Sequence, residues 1–333
     1  MLRRRFIPIL LAVLVIQLGL VALVYWPRPS QATSEPVFPN LTTADIIALT
    51  IADNAGKQLK LARRGEGWVL PEAGDYPVQV DRINPLLEKL VGLKTGRLVA
   101  ETAASHARLQ VAEDTFVRRL ELETVRGERH TLYLGTAPRA GATHFRLQGQ
   151  DRVYLAANLA AFDATVEPIS YIDSKYVSLP GTDIAAVRIE NTHGVLDFSK
   201  EGDTWKLAGL SPEQTLDSFA VQSLVGRLAG LNMTRPLGTT ADAATLTAWG
   251  LNPPATTVTI TVRPAAGDSK THVLQIGAKD PETNNYYAKY SESPYYVQIA
   301  GFNLDDFVNK TMGDFIATPT PAPTTTPVAT PTP

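Results

Sequence analysis

Cysteine is absent from all 333 residues. That one absence excludes disulfide staples, thiolate metal sites, a cysteine nucleophile and lipid attachment through a thiol. No sign of charge dominates either: 31 Lys and Arg stand against 33 Asp and Glu, for a formal charge of −2. Dispersed in this way, the cations build no concentrated basic face for a nucleic acid. The chain also lacks Gly-x-Ser-x-Gly, a phosphate loop closing in Lys-Ser/Thr, His-Glu-x-x-His and any calcium loop. Gly65-Glu-Gly67 has no third glycine and is not a dinucleotide fingerprint. The five histidines (106, 130, 144, 193 and 272) are never spaced to share a metal on one strand or helix face. No catalytic residue, metal ligand or cofactor is expected, and the chain reads as non-enzymatic.

What is present is present twice. Asp45-Ile-Ile-Ala-Leu-Thr-Ile followed by Gly65-Glu-Gly-Trp-Val-Leu returns as Asp183-Ile-Ala-Ala-Val-Arg-Ile followed by Gly202-Asp-Thr-Trp-Lys-Leu. His130-Thr-Leu-Tyr-Leu-Gly135 returns as His272-Val-Leu-Gln-Ile-Gly277. An offset that drifts by only a few residues across a whole half marks a tandem duplication. The residues kept in both copies are mostly apolar, glycine or tryptophan, which build cores. With 44% hydrophobic and 19% charged residues, the chain has apolar material for two ordinary domains.

Arg3-Arg4-Arg5 precedes an uncharged stretch over residues 6–26, closed by Pro27-Arg28-Pro29. At a helical rise of about 1.5 Å, that stretch spans about 31 Å, the thickness of a hydrocarbon core. Tyr25 and Trp26 stand where interfacial aromatics anchor a span. Residues 1–29 therefore read as a cytoplasmic arginine stub and a single transmembrane helix, with the bulk of the chain extracytoplasmic. A cleaved signal peptide is the alternative, since Ser30-Gln31-Ala32 offers small residues at cleavage spacing. Residues 30–44 read as a tether. Residues 317–333 hold only Ala, Thr, Pro and one Val, an extended Thr/Pro tail.

Between them lie module 1 (45–172) and module 2 (183–316), separated by a join. Alternating Leu49 and Ile51, matched by Val187 and Ile189, predict a first strand, and Leu59 and Leu61, matched by Leu196 and Phe198, its return. Trp68 and Trp205 end that hairpin. Ile83, Leu86, Leu87, Leu90 and Leu93 predict a helix N-capped by Asp81; Val221, Leu224, Leu228 and Leu231 predict its counterpart behind Asp217. Further strands follow around Leu120, Leu132, residues 145–155 and their copies. A short helix containing Phe162, or Leu304 and Phe307, closes each module. The expected fold is α+β: two tandem homologous modules of mostly antiparallel sheet with one main helix each, after a single N-terminal transmembrane helix.

Three sets of residues merit attention. His130 and His272 survive in both copies: in function they would be equivalent ligands or proton acceptors, one per module, whereas the plain reading puts them on the polar face of a strand, bonded to a neighbouring loop. Asp45 and Asp183 open equivalent strands in separate modules and read as turn or cap residues rather than paired carboxylates. Tyr286, Tyr287, Tyr290, Tyr295 and Tyr296 are the densest aromatic patch. An exposed tyrosine ladder would stack on sugar rings or anchor a partner protein, whereas a hairpin with cross-strand tyrosine pairs is the structural alternative.

In the strand–hairpin–Trp block, Trp249-Gly-Leu251-Asn-Pro253 and the Leu-Gln-Ile-Gly277 strand, the chain resembles a bacterial family catalogued as domain of unknown function 4340. The resemblance spans about residues 45–316. It implies one N-terminal membrane anchor, an exported repeat and, for some members, association with an ABC-type transporter of the gliding-motility kind; it implies no catalytic residues. The first copy departs from the Tyr/Trp-Gly-Leu element, with Leu109-Gln-Val111-Ala in its place. The expected role is that of an accessory or scaffold protein in an envelope complex, with transporter subunits as partners. The alternative is a glycan or cell-wall binding module using the tyrosine hairpin.

Overall fold

The structure, a computed structural model, describes residues 14–17 and 34–318. No helix among these residues is long and apolar enough to cross a membrane. The expected anchor at 6–26 lies outside them apart from 14–17, as does the Thr/Pro tail from 319 onward.

Two nine-stranded sheets form the body, one per module. The first comprises β1 (Ile46–Asp53), β2 (Gln58–Arg64), β3 (Gly67–Leu70), β4 (Tyr76–Val78), β5 (Leu98–Ala100), β6 (Arg118–Thr124), β7 (Arg129–Leu134), β8 (Thr143–Leu147) and β9 (Val153–Ala156). The second comprises β10 (Lys175–Ser178), β11 (Ile184–Asn191), β12 (Gly194–Glu201), β13 (Thr204–Leu207), β14 (Gly230–Gly238), β15 (Thr256–Val262), β16 (Lys270–Lys279), β17 (Asn285–Tyr290) and β18 (Tyr296–Ala300). Their orders are β4-β3-β2-β1-β6-β7-β8-β9-β5 and β10-β14-β18-β17-β16-β15-β11-β12-β13. Read from the opposite edge, the second order repeats the first, without β4 at one end and with β10 added at the other. The strand pairings are antiparallel throughout. Even an irregularity is duplicated: the register of β1 on β6 shifts between Ile46 and Ala48, and that of β11 on β15 between Ile184 and Ala186. The bulge turns Ile46 and Leu49, three residues apart, to the same buried face.

The expected join and tether contribute to this order. Part of the join is β10, paired with β14, and Pro36 bridges Lys94 at the corresponding place in module 1. Trp68 and Trp205 are both buried, as core residues of β3 and β13.

The helix Val80–Val91 buries Ile83, Leu86, Leu87 and Leu90, although Pro85 lies within it. Four such side chains at roughly 1.5–3 kcal/mol each outweigh the ~3 kcal/mol of an interior proline, so the helix continues through it. Its counterpart Ser218–Ala229 buries Val221, Leu224, Val225 and Leu228. Both stop earlier than the apolar spacing suggests, and Leu231 belongs to β14. Asp217 is the N-cap, its Oδ1 accepting from the N–H groups of Phe219 and Ala220 at 3.0 Å. Asp81 is not: the N-cap of the first helix is Gln79, and Asp81 lies in the first turn. The chain is held there by the Gln79 N–H donating to the Tyr171 carbonyl at 2.8 Å and the Arg82 guanidinium donating to that of Ile172 at 2.7 Å.

Phe162 also departs from expectation. Leu304 and Phe307 lie on one face of the helix Gly301–Asn309, both fully buried. In module 1 only a 3-10 turn, Ala161–Asp163, forms; Leu159 precedes it and is buried, while Phe162 is 74% exposed. Without a helix the i, i+3 pair no longer shares a face.

A backbone contact repeated in both modules fixes the outer side of each sheet. Short helices, His106–Leu109 and Ala243–Ala248, precede β6 and β15, and the chain leaves each through a left-handed residue, Gln110 (φ 55°) or Gly250 (φ 65°). The preceding carbonyls, of Leu109 and Trp249, accept the N–H groups of Thr136 and Ala278 at 2.9 and 2.7 Å. A Cβ on Gly135 or Gly277 would lie 2.0 Å from those same oxygens. This accounts for a glycine at both places, although Gly135 directly follows β7 whereas Gly277 lies within β16 rather than at its end, and it shows that Leu109-Gln-Val111 keeps the backbone of Trp249-Gly-Leu251 despite its different residues.

Most of the buried apolar side chains of the two modules form one connected cluster, and a second, small one lies on the outer face of module 1. At the boundary Tyr76 meets Tyr295 edge-on, ring centroids 4.6 Å apart, and a Cβ on Gly74 would lie 3.0 Å from the Thr239 nitrogen.

Gly277→Ala and Gly135→Ala are each expected to destabilise the chain by roughly 3 kcal/mol, because backbone rather than a flexible side chain must give way. Gly226→Ala, at an exposed helical glycine with ordinary backbone and open space around it, serves as the control. Urea unfolding midpoints check this, and equal midpoints for Gly277→Ala and the control would refute the contact.

Candidate functional site

β17 and β18 sort the five tyrosines of the patch by strand alternation. Tyr286 and Tyr290 face inward and are each 5% exposed. The Tyr286 hydroxyl donates to Asp305 Oδ1 at 2.8 Å, beneath the Lys279 ammonium. The Tyr290 hydroxyl shares a 3.0 Å hydrogen bond with His272 Nδ1, and its backbone N–H donates to the Tyr176 hydroxyl at 2.9 Å. Tyr295 packs against Tyr76 at the module boundary. Only Tyr287 and Tyr296 face outward. The patch is therefore not a five-membered ladder: alternation sends two rings into the core, and the module boundary takes a third.

The outward pair is completed by Trp249, carried by the glycine-locked turn. Its indole stacks on Tyr287 with centroids 5.3 Å apart and planes 12° from parallel, and it tilts against Tyr296 at 5.8 Å. All three rings are half-buried. Polar groups surround them. Asp280 Oδ2 accepts from the Tyr287 hydroxyl at 3.1 Å and from Gln298 Nε2 at 2.9 Å. Lys289 lies 5.6 Å over the Tyr296 ring and donates to the carbonyls of Tyr290 and Ser293. Arg235 is exposed on the neighbouring strand, paired with Gln298. The Asp280 carboxyl is held below its usual range by the N–H groups of Glu282 and Thr283, helped by Tyr287 and Gln298. Burial pushes the Lys289 ammonium down and the Tyr287 phenol up, the latter aided by Asp280.

Module 1 fills the same outer face differently. Arg146 occupies the position of Lys289 and is buried, donating to the carbonyls of Val111, Leu147 and Gln150. Its guanidinium lies 4.7 Å over Tyr133, and Leu109, Val111, Phe116 and Val153 join that ring in a closed apolar cluster. The cation clamps the β8–β9 turn as Lys289 clamps the β17–β18 turn. On this face, among the described residues, only module 2 leaves aromatic rings accessible.

Asp45 is part of a capping box, its Oδ2 accepting from the Thr42 N–H and hydroxyl at 2.9 and 2.6 Å, which lowers its pKa. Asp183 accepts from the Thr182 hydroxyl at 3.0 Å. His130 and His272 differ from expectation. They lie on the inward side of their strands, at its open end, because each alternates with the buried leucine two residues on, Leu132 and Leu274. Among the described residues no group of three or more His, Cys, Asp and Glu is arranged to hold a metal ion.

The residues that sequence reasoning missed here are Trp249, Lys289, Asp280 and Gln298. Trp249 carried a signal, as the first residue of the Trp-Gly-Leu element, and the period-2 alternation of Tyr286, Ala288 and Tyr290 separates the inward rings once the strand is placed.

The family model described as Domain of unknown function (DUF4340) matches residues 68–235 and, a second time, residues 211–320. Two overlapping matches along one chain accord with its tandem repeat. No curated protein and no solved structure matches the chain.

Burial raises the phenols of Tyr76, Tyr171, Tyr176, Tyr286 and Tyr290 to about 12. In the unfolded chain these phenols ionise near pH 10, so between about pH 10 and 12 the unfolded state has lost protons that the folded state retains. Stability is therefore expected to be independent of these groups below about pH 10 and to fall from there to about pH 12. Spectrophotometric phenolate titration alongside unfolding checks it. Tyrosines that all ionise together near pH 10 in the folded protein would contradict the burial.

Proposed function

The chain belongs to the DUF4340 family, and on that premise we propose that it is a non-catalytic, membrane-anchored extracytoplasmic accessory or scaffold protein of a bacterial envelope complex, associated with an ABC-type transporter. The observation that carries the reading is the outward cluster of Trp249, Tyr287 and Tyr296. Large rings with polar edges anchor protein interfaces because they bury much area for few rotatable bonds, and Trp and Tyr are enriched among the residues that dominate binding. Here the rings are already held by stacking and by Asp280, so little side-chain freedom is lost when a partner covers them. The arginine stub and apolar stretch over residues 3–26 support export and anchoring. The transporter association rests on the family resemblance.

Glycan or cell-wall binding is the second reading. It is favoured by the indole–phenol stack with Asp280, Gln298 and Lys289 beside it, since rings flanked by hydrogen-bonding groups suit a sugar's apolar face and hydroxyls.

Affinity purification of the full-length chain from gently solubilised membranes is expected to recover transporter subunits. Trp249→Ala combined with Tyr287→Ala is expected to lower that recovery roughly tenfold or more, as loss of central aromatic anchors does. Repeated recovery of the wild-type chain alone would overturn the scaffold reading. A glycan-array signal lost in the same double variant would establish the second.

A further inference from the structure

The inward histidines mark a point where the two modules are built alike and filled differently. His130 pairs with Leu122 and His272 with Ile260, at equivalent places in their sheets. On the next strand over, Leu147 lies opposite Leu132, and at the corresponding position Tyr290 lies opposite Leu274. The segment entering each module supplies one ring, Phe38 or Tyr176, 138 residues apart just as Asp45 and Asp183 are.

In module 2 the Tyr290 ring closes this corner. It stacks on His272 with centroids 5.9 Å apart and planes 22° from parallel, meets Tyr176 edge-on at 6.1 Å, and places its hydroxyl 3.0 Å from His272 Nδ1. The His272 side chain is left only 12% exposed. In module 1 the corresponding residue is Leu147, which has neither the length nor the hydroxyl. His130 keeps Phe38, at 5.1 Å, but its side chain is 33% exposed. Glu128 lies 3.8 Å from Nε2, and among the described residues nothing is bonded to Nδ1, the atom that Tyr290 uses in module 2. A cavity of about 510 Å³ opens at this corner, lined by Phe38, His130 and Leu147, with Arg126, Gln148 and Gln150 among its polar residues. That size is within the range of small-molecule sites, roughly 300–1,000 Å³.

We propose that this cavity in module 1 binds a phenolic ring from outside, in the place that Tyr290 fills in module 2. The ring stacks on the His130 imidazole and packs against Phe38. Its hydroxyl shares a hydrogen bond with His130 Nδ1, and ring substituents face Arg126, Gln148 and Gln150. The site is independent of the Trp249 face, so the proposal stands or falls apart from the accessory role. A free phenolic compound and the tyrosine of a peptide present the same chemistry.

The probe is p-cresol, the tyrosine side chain itself, titrated into the purified full-length chain in detergent and followed by ligand-observed NMR. Saturable binding to the wild type is expected. Leu147→Tyr, which installs the module 2 phenol, is expected to weaken it at least tenfold, and the same micelles control for partitioning. Should Leu147→Tyr unfold the chain, Tyr290→Leu is the second arm: it is expected to open the equivalent corner beside His272 and add a second site. Toluene, without the hydroxyl, is expected to bind several-fold more weakly. Preference for 4-hydroxyphenylacetate or for N-acetyltyrosine amide then assigns the source, and either supports the site. Absence of saturable binding, equal binding by the wild type and a folded Leu147→Tyr variant, or no added site in Tyr290→Leu would overturn the proposal.

Discussion

The outer side of each sheet depends on one close approach between backbones. A left-handed residue turns the chain out of a short helix, and the carbonyl just before it is pressed onto a strand glycine. The space is too small for any side chain, since a Cβ on Gly135 or Gly277 would sit 2.0 Å from the carbonyl oxygen. The same oxygen takes the next N–H of the strand, at 2.9 Å in module 1 and 2.7 Å in module 2, so the buried polar group is satisfied as it is packed. This contact decides where Trp249 stands, and with it whether the indole can reach Tyr287. The half-exposed aromatic face is a consequence of a glycine two strands away in the sequence order of the module.

The modules show how a duplicated backbone diverges through its fillings. At equivalent places on the outer face, Arg146 answers Lys289, Tyr133 answers Gln275 and Val153 answers Tyr296. The cation keeps its role in both, clamping a hairpin turn by its carbonyls. The surrounding apolar residues close over it in module 1 and leave rings open in module 2. On the inner face the bias runs the other way: Tyr290 seals the corner beside His272, while Leu147 leaves His130 open. Each module is thus closed where the other is accessible, without any change in the order of the eight strands they share.

Much of the fold was legible in the residues. Alternation at Leu49 and Ile51, or Val258 and Ile260, marks strands because one face of each is buried, and the helix stripes at Ile83 and Val221 follow from the same requirement. Other elements left weaker marks. β4, β5 and β10 have three or four residues each, too few for a period to show. The caps were ambiguous because Asp81 and Asp217 look alike as residues, whereas the helix start is chosen by what the preceding backbone can bond to: Tyr171 in module 1, the Asp217 side chain in module 2. Phe162 and Phe307 share a local pattern and differ in burial because only one lies in a helix.

The tyrosine patch shows the same division between residues 286 and 296. That Tyr286 and Tyr290 share one side and Tyr287 takes the other is a property of the strand. That the inward side is the core, that Tyr295 is taken up by the other module, and that a tryptophan from a distant turn joins Tyr287 are properties of the assembled sheets. By itself the sequence determined the duplication, the absence of thiol and metal chemistry based on cysteine, the family and the periodic cores, because each depends on residue type and spacing along the chain. Only the tertiary structure decided which aromatic rings remain accessible and which histidine stands beside a cavity. Accessibility depends on neighbours brought together from far apart in the chain, and no local pattern encodes them.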